Sequence, residues 1–492
     1  MKKVIKVITI VLAVTLFLFA ILRLIKSDLF ITSTRWVKTY DIDNSFIAAN
    51  LDDGYGIVQT PDGGYIVSGI TTGEQNGTFL VMRLTSKGSV IWAKQFGKFD
   101  GNPTSLIKTS DNCYLIAGDT YSRKSDRNLF LVKIDIDGNI KWSKSYGRIK
   151  TDWFDFAGLD ESKVTADVLV DSISQTSDGG FVLCGCFHWY GGPKDYMGSL
   201  DRAYSLVIKL NANGEINWVK GFKEEGTAWG LRFISQTSDG GFLTAGEIRN
   251  HDILLIKLSS DGKVEWERIL DDKFPNKVAV ARSFAFTKDG GAIICGDYED
   301  RTPSGNCDIL LIRVDRNGEV LWAKTYGAGK DNLGYYTNSF GHFIKQAQDG
   351  NFVVVGDGGF LDGELFILKV DENGKLIWAK KSKYGLTIYY STCASLTTDG
   401  GFVVTGETVS PNVALLNFDV GNTDIFVAKF DKDGNLGGNC ESSSNFRTIL
   451  KDYSPIISSV EFIQMSFIPF HTMQHLKLSR FLHSLQKYGM LR

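Results

Sequence analysis

One spacing recurs seven times along this chain and restricts what it can fold into. An aspartate opens a turn such as Asp62-Gly63-Gly64, and a glycine follows seven residues later. The aspartates are Asp62, Asp111, Asp178, Asp239, Asp289, Asp349 and Asp399; the glycines are Gly69, Gly118, Gly185, Gly246, Gly296, Gly356 and Gly406. A second turn glycine follows at Gly88, Gly138, Gly214, Gly262, Gly318, Gly374 and Gly434. Five residues before each stands a base: Arg83, Lys133, Lys209, Lys257, Arg313, Lys369 or Lys429. Four residues after six of them stands a tryptophan: Trp92, Trp142, Trp218, Trp266, Trp322 and Trp378. Asp-Gly between alternating apolar segments predicts a hairpin, because glycine supplies the positive φ that the turn needs. Each repeat holds two such hairpins, hence four strands, A to D, rich in β-formers. Four-stranded sheets repeated radially are propeller blades, and one blade cannot bury both faces without neighbours.

The seventh repeat runs past Gly434 into Asn435-Leu436-Gly437-Gly438 with no Trp-x-Lys strand. The missing strand stands at the other end: Trp36-Val37-Lys38-Thr39-Tyr40 matches Trp322-Ala323-Lys324-Thr325-Tyr326. The fold class expected is therefore all-β, a seven-bladed propeller over 29–440. Its closing strand is 35–41, its repeats span 50–440, and the ring seals an otherwise open edge. One ring absorbs roughly 350–450 residues, so 492 residues need not mean several large domains. With 52 glycines and 8 prolines, the composition fits tight hairpins. A net charge of −2 offers no field for nucleic acid. Cys184, Cys186 and Cys295 fall in or just after apolar strand-like runs and read as small buried hydrophobes.

The repeat resembles a broad family of secreted or surface bacterial and archaeal proteins with the pattern QTxDGGxxxxG…DxxLxKxDxxGxxxWxKxxG. These look like relatives of quinoprotein-like propellers, and the seam is similar to that of WD-repeat propellers. The resemblance implies the fold and little about activity.

The variable spacings point to a binding face. The stretch from the B-strand glycine to the C-strand base varies from 11 residues (Gly246 to Lys257) to 24 (Gly185 to Lys209). The stretch from tryptophan to the next turn aspartate is longest, at 36, between Trp142 and Asp178. Both kinds of connection, B–C and D–A, open on one face of a propeller, so elaboration concentrates there. The two longest meet at the third repeat. They carry Trp153, Phe154 and Asp155, and then His188, Trp189, Tyr190 and Tyr196. Rings beside carboxylates suit a sugar or peptide, because the rings stack and the polar groups orient. The reading preferred over that one is that these rings pack the long loops onto the blade. A second feature is acidic: Asp119, Glu247, Asp297, Asp357 and Glu407 each follow the B-strand glycine. They are expected on the same face, as a site for a cation or a basic partner or, by preference, as groups that cap loops or pair with lysines. Asp135-x-Asp137-Gly138 and Asp431-x-Asp433-Gly434 lack a downstream glutamate ligand and read as hairpin turns. No catalytic residue, metal site or cofactor is legible, since GxSxG, Walker and HExxH patterns are missing.

Residues 1–28 read as an uncleaved signal anchor. Lys2, Lys3 and Lys6 precede an apolar run, and Val4 to Ile25 would meet the cytoplasmic membrane with the amino end inside. The propeller is then extracytoplasmic, or secreted if the segment is cleaved. Residues 441–492 lack the repeat and read as a tail, with Leu476 to Leu485 as a short basic amphipathic helix or a poorly ordered extension. The leading expectation is a membrane-anchored binding or scaffold propeller with an envelope glycan or protein partner. Alternatives are a carbohydrate-binding or endoglucanase-type hydrolase and, more remotely, a quinone-dependent oxidoreductase.

Overall fold

The computed structural model describes residues 35–40, 52–71, 78–96, 100–122, 125–151, 165–190, 202–223, 230–248, 252–270, 277–300, 307–327, 338–358, 364–381, 388–409, 423–436, 441–443, 450–452 and 460–469. They form seven antiparallel blades. Blade 1 is Asp52–Gln59, Tyr65–Thr71, Thr78–Leu84 and Val90–Phe96. Blade 2 runs from Asp100–Lys108 to Ile140–Thr151, blade 3 from Thr165–Gln175 to Ile216–Lys223, and blade 4 from Gly230–Gln236 to Val264–Ile269. Blade 5 runs from Lys277–Phe286 to Val320–Tyr326 and blade 6 from Ser339–Gln346 to Leu376–Lys381. Blade 7 holds Ile388–Leu396, Phe402–Val409 and Thr423–Phe430, and its fourth strand is Trp36–Tyr40. That strand pairs antiparallel with the C strand, Trp36 opposite Lys429 and Tyr40 opposite Ile425, so the ring closes as the sequence predicts.

Each letter of the repeat has a local job. In the A–B turn Thr60 N–H donates to Gly64 O at 2.9 Å and Gly63 N–H to Thr60 O at 3.0 Å. Gly63 sits at φ 81°, and the one non-glycine at this turn position, Asn112, at φ 59°, a region that asparagine tolerates. The turn aspartate holds the C-strand base in all seven blades, from Arg83–Asp62 at 2.8 Å through Lys133–Asp111 at 2.7 Å to Lys429–Asp399 at 2.9 Å. The preceding glutamine crosses to the neighbouring blade: Ser177 N–H donates to Gln236 Oε1 at 2.7 Å, and at the seam Thr398 N–H donates to Gln59 Oε1 at 2.8 Å.

The blades are cemented where the D-strand tryptophan covers the next blade's C–D turn. Its ring lies so close to the turn glycine that an added Cβ would meet it: Trp92 at Gly138, Trp218 at Gly262, Trp378 at Gly434. Trp36 does the same at Gly88, so the seam has the geometry of the other joints. Trp36 Nε1 donates to Ser86 O at 2.9 Å and Tyr40 Oη to Gly88 O at 2.7 Å. Tyr326 repeats this on Gly374 O at 2.6 Å. Apolar side chains accordingly gather between blades. One buried cluster joins Leu115, Leu131 and Tyr146 of blade 2 to Val168, Phe181 and Leu183 of blade 3, and another joins Trp36, Ile425 and Val427 to Tyr65 and Leu80 across the seam. Cys184, Cys186 and Cys295 are buried in this packing.

Beyond the ring, short strands of the tail add to outer edges in parallel. Glu441–Ser443 joins Trp36–Tyr40, Leu450–Asp452 joins Val90–Phe96, and Val460–Pro469 bridges Ile140–Thr151 and Ile216–Lys223. An outer D strand presents unpaired N–H and C=O groups, which a passing strand satisfies. The segment expected to form a helix, 476–485, lies outside the described residues. Among the described residues no helix is long and apolar enough to cross a membrane, and residues 4–25 are not among them.

Candidate functional site

The centre of the ring is shaped by the glycine that follows each turn aspartate by seven. At Gly296 an added Cβ would stand 1.7 Å from Val280 O, and at Gly356 1.9 Å from Phe340 O. The A strand therefore leans onto the B strand at this point, and only glycine leaves it room. Opposite, every A strand slips register by one residue. A β-bulge ejects one residue from the ladder and re-aims its side chain. The ejected residues are Tyr55, Thr104, Asp171, Arg232, Arg282, His342 and Thr392. Each stands seven residues before its turn aspartate. This ring of bulge positions escaped the sequence reading, although its fixed offset is visible there.

The bulges meet the acidic residues that the sequence singled out. Asp119, Glu247, Asp297 and Asp357 are buried. Arg282 Nε donates to Asp297 Oδ2 at 2.5 Å, while Gly341 N–H of the next blade donates to Asp297 Oδ1 at 2.9 Å. His342 Nε2 lies 3.0 Å from Asp357 Oδ2, an ion-pair distance without hydrogen-bond alignment. Arg232 bridges two blades, with Nη1 3.1 Å from Asp171 Oδ1 and Nε 3.8 Å from Glu247 Oε1. Burial raises the Asp171 carboxyl above its ordinary range, against the pull of Arg232. At the seam, burial and then the neighbouring Asp53 side chain push the Glu407 carboxyl up to about 8. Thr423 Oγ1 donates to Asp53 Oδ1 at 2.9 Å. The acids thus pair with bulge residues and with each other on the inner side of the blades. Among the described residues no group of three or more His, Cys, Asp or Glu side chains is arranged to hold a metal ion.

From the bulges toward the A–B turns extends a cavity of about 470 Å³ lined by all seven A strands, with Asp171, Arg232, Arg282 and His342 of the bulge tier among its walls. Its volume suits a small ligand. Lys345 reaches into it and is open to the lumen, yet protein surrounds its amine closely enough that desolvation lowers its pKa.

The loop residues fall elsewhere. Trp153, Phe154, Asp155 and Tyr196 lie outside the described residues. His188, Trp189 and Tyr190 end the long B strand of blade 3, opposite Asp167, Ala166 and Thr165. Their backbone stands at the B–C end of the blade, away from the bulge of that blade at Asp171.

No known protein family matches the sequence, and no curated protein matches it. The chain is similar in structure to a protein of unknown function from Bacteroides caccae: 11% identity, 68% of this chain and 94% of that one, TM-score 0.36. A crystal structure of polysaccharide lyase Uly1 is matched at 8% identity over 80% of this chain and 92% of that chain, TM-score 0.44. A protein of unknown function from Dyadobacter fermentans DSM 18053 is matched at 12% identity over 68% and 96%, TM-score 0.42.

Proposed function

We propose that this chain is an extracytoplasmic propeller, held to the cytoplasmic membrane by residues 4–25, that serves as a binding or scaffold module. It receives an envelope glycan or protein on the face of the B–C and D–A connections. The supporting observation is the contrast between two faces of one ring. On one side the A–B and C–D turns keep a fixed length and a fixed hydrogen-bond pattern in every blade. On the other side the connections range up to the 36-residue interval from Trp142 to Asp178. A scaffold that varies on one face alone spends its sequence freedom where a partner is chosen.

Site-specific photo-crosslinking in intact envelopes tests this reading. A crosslinker at Tyr196 captures a partner and one at Ser177, in the A–B turn of the same blade, captures none. Equal capture at both, or none at Tyr196, removes the proposal. Deleting residues 1–28 is expected to release the chain from the membrane fraction.

The two long insertions that meet at the third repeat favour a second reading, carbohydrate recognition, because one carries Trp153 beside Asp155 and the other Trp189 beside His188 in sequence. A glycan array probed with the propeller and with the Trp153→Ala/Trp189→Ala pair separates the two. Binding lost in the pair supports the sugar reading, and a blank array ends it.

A further inference from the structure

The lower lumen carries a charge that the ring does not balance. Around the bulge tier, bases and acids stand together: Arg282 with Asp297, Arg232 with Asp171 and Glu247, and the His342 imidazole beside Asp357. Three residues below its bulge stands Lys345, which makes no ion pair or hydrogen bond among the described residues. Its Nζ lies 5.8 Å from the ring centroid of Phe343 on its own strand and 5.8 Å from that of Phe233, two blades away. Phe233 is fixed edge-to-face on Phe284, centroids 5.1 Å apart. Aromatic faces attract an ammonium but do not replace a counter-ion.

The same tier holds hydroxyls. Ser174 and Ser235 occupy in blades 3 and 4 the place of Lys345 in blade 6, and their Oγ atoms lie 3.5 Å apart. Both line the cavity with Lys345 and the two rings. A cavity that offers the ammonium groups of Lys345 and Lys108, paired hydroxyls and two aromatic faces selects a ligand by charge, by hydrogen bonding and by shape together.

We infer that the lower lumen binds a small hydroxylated organic anion, about the size of an acidic monosaccharide. Lys345 pairs with its carboxylate, Ser174 and Ser235 meet its hydroxyls, and Phe233 and Phe343 cover its C–H face. The site is separate from the loop face and does not depend on a partner there.

Calorimetric titration of the full chain with D-glucuronate and with D-glucose tests the assignment, since the two sugars differ in carboxylate against hydroxymethyl at one carbon. Glucuronate is expected to bind about tenfold or more tightly than glucose, the usual effect of one charged hydrogen bond. Lys345→Met erases that preference and Lys345→Arg retains most of it. Thermal midpoints confirm that each variant is folded. Equal affinity for the two sugars, no heat with glucuronate at millimolar concentration, or wild-type preference in Lys345→Met overturns the inference.

Discussion

Two tiers of this ring treat the same sevenfold repeat in opposite ways. At the outer joints one chemistry recurs: a tryptophan over a turn glycine, from Trp36 on Gly88 to Trp378 on Gly434. At the lumen the equivalent position holds Tyr55, Thr104, Asp171, Arg232, Arg282, His342 and Thr392, seven positions with five different residue types. Joints must be alike because each blade meets its neighbour at the same angle. A bulge releases its residue from the ladder, so the side chain is free to differ. Uniform tiers therefore carry stability, and divergent ones are open to function.

Substitutions at the joints test this most severely. Trp36→Ala removes the ring that closes the seam and is expected to cost about 3–5 kcal/mol, read as a fall in denaturation midpoint. A chain begun after Tyr40 is expected to lose its cooperative transition, because blade 7 keeps an open edge. Next come the glycines. Gly296→Ala drives a methyl into Val280 O and is expected to cost about 3 kcal/mol. Gly240→Ala, with nothing within 4 Å but φ at +84°, costs about 1 kcal/mol. A loss at Gly296 no larger than that at Gly240 would show that the approach of the A strand does not fix the B-strand glycine.

The turn aspartates give a pH signature. The Thr287 hydroxyl and then Arg313 hold Asp289 at about 2, below its ordinary 3.8. A depressed carboxylate stabilises above its unfolded pKa, and the contribution is lost as pH falls from about 3.8 through about 2. Asp289→Ala is expected to cost roughly 1–2 kcal/mol at pH 7, because Asp289 is half exposed while Arg313 is left buried. It also flattens part of the acid limb of the stability curve. Glu407 has the opposite sign. Its pKa is raised from 4.5 to about 8, so its contribution is complete below about 4.5 and is lost as pH rises through about 8. Glu407→Gln is expected to remove that decline of the thermal midpoint; an unchanged decline would refute the raised Glu407 carboxyl as its source. The smallest effect belongs to Thr104→Val, a bulge residue with one long hydrogen bond of 3.4 Å to Ala117 O. It is expected to move stability by less than about 0.5 kcal/mol.

The acidic positions were legible from their place after the B-strand glycine, but their partners were not. Arg282 and Asp297 are fifteen residues apart with a turn between them, and no local rule says that Arg282 is squeezed out of its strand to meet the acid. The elaborated loops were legible as lengths, and Trp153, Phe154, Asp155 and Tyr196 lie outside the described residues. Lys345 had no distinguishing spacing at all, since what marks it is Phe233 about a hundred residues upstream.

By itself the sequence determined the blade number, the strand order and the seam. Hairpins are local: an Asp-Gly turn forms from its own residues, and counting turns counts blades. The pairing of Trp36–Tyr40 with Thr423–Phe430 followed because an incomplete seventh repeat must find its missing strand. The tertiary structure alone decided what faces the axis. The lumen is assembled from seven segments spread over the chain, and its chemistry exists once the ring has closed. Closure brings Lys345 beside Phe233 and joins Glu407 to Asp53 across the seam, contacts set by the curvature of the ring and by bulges at the B-strand glycines.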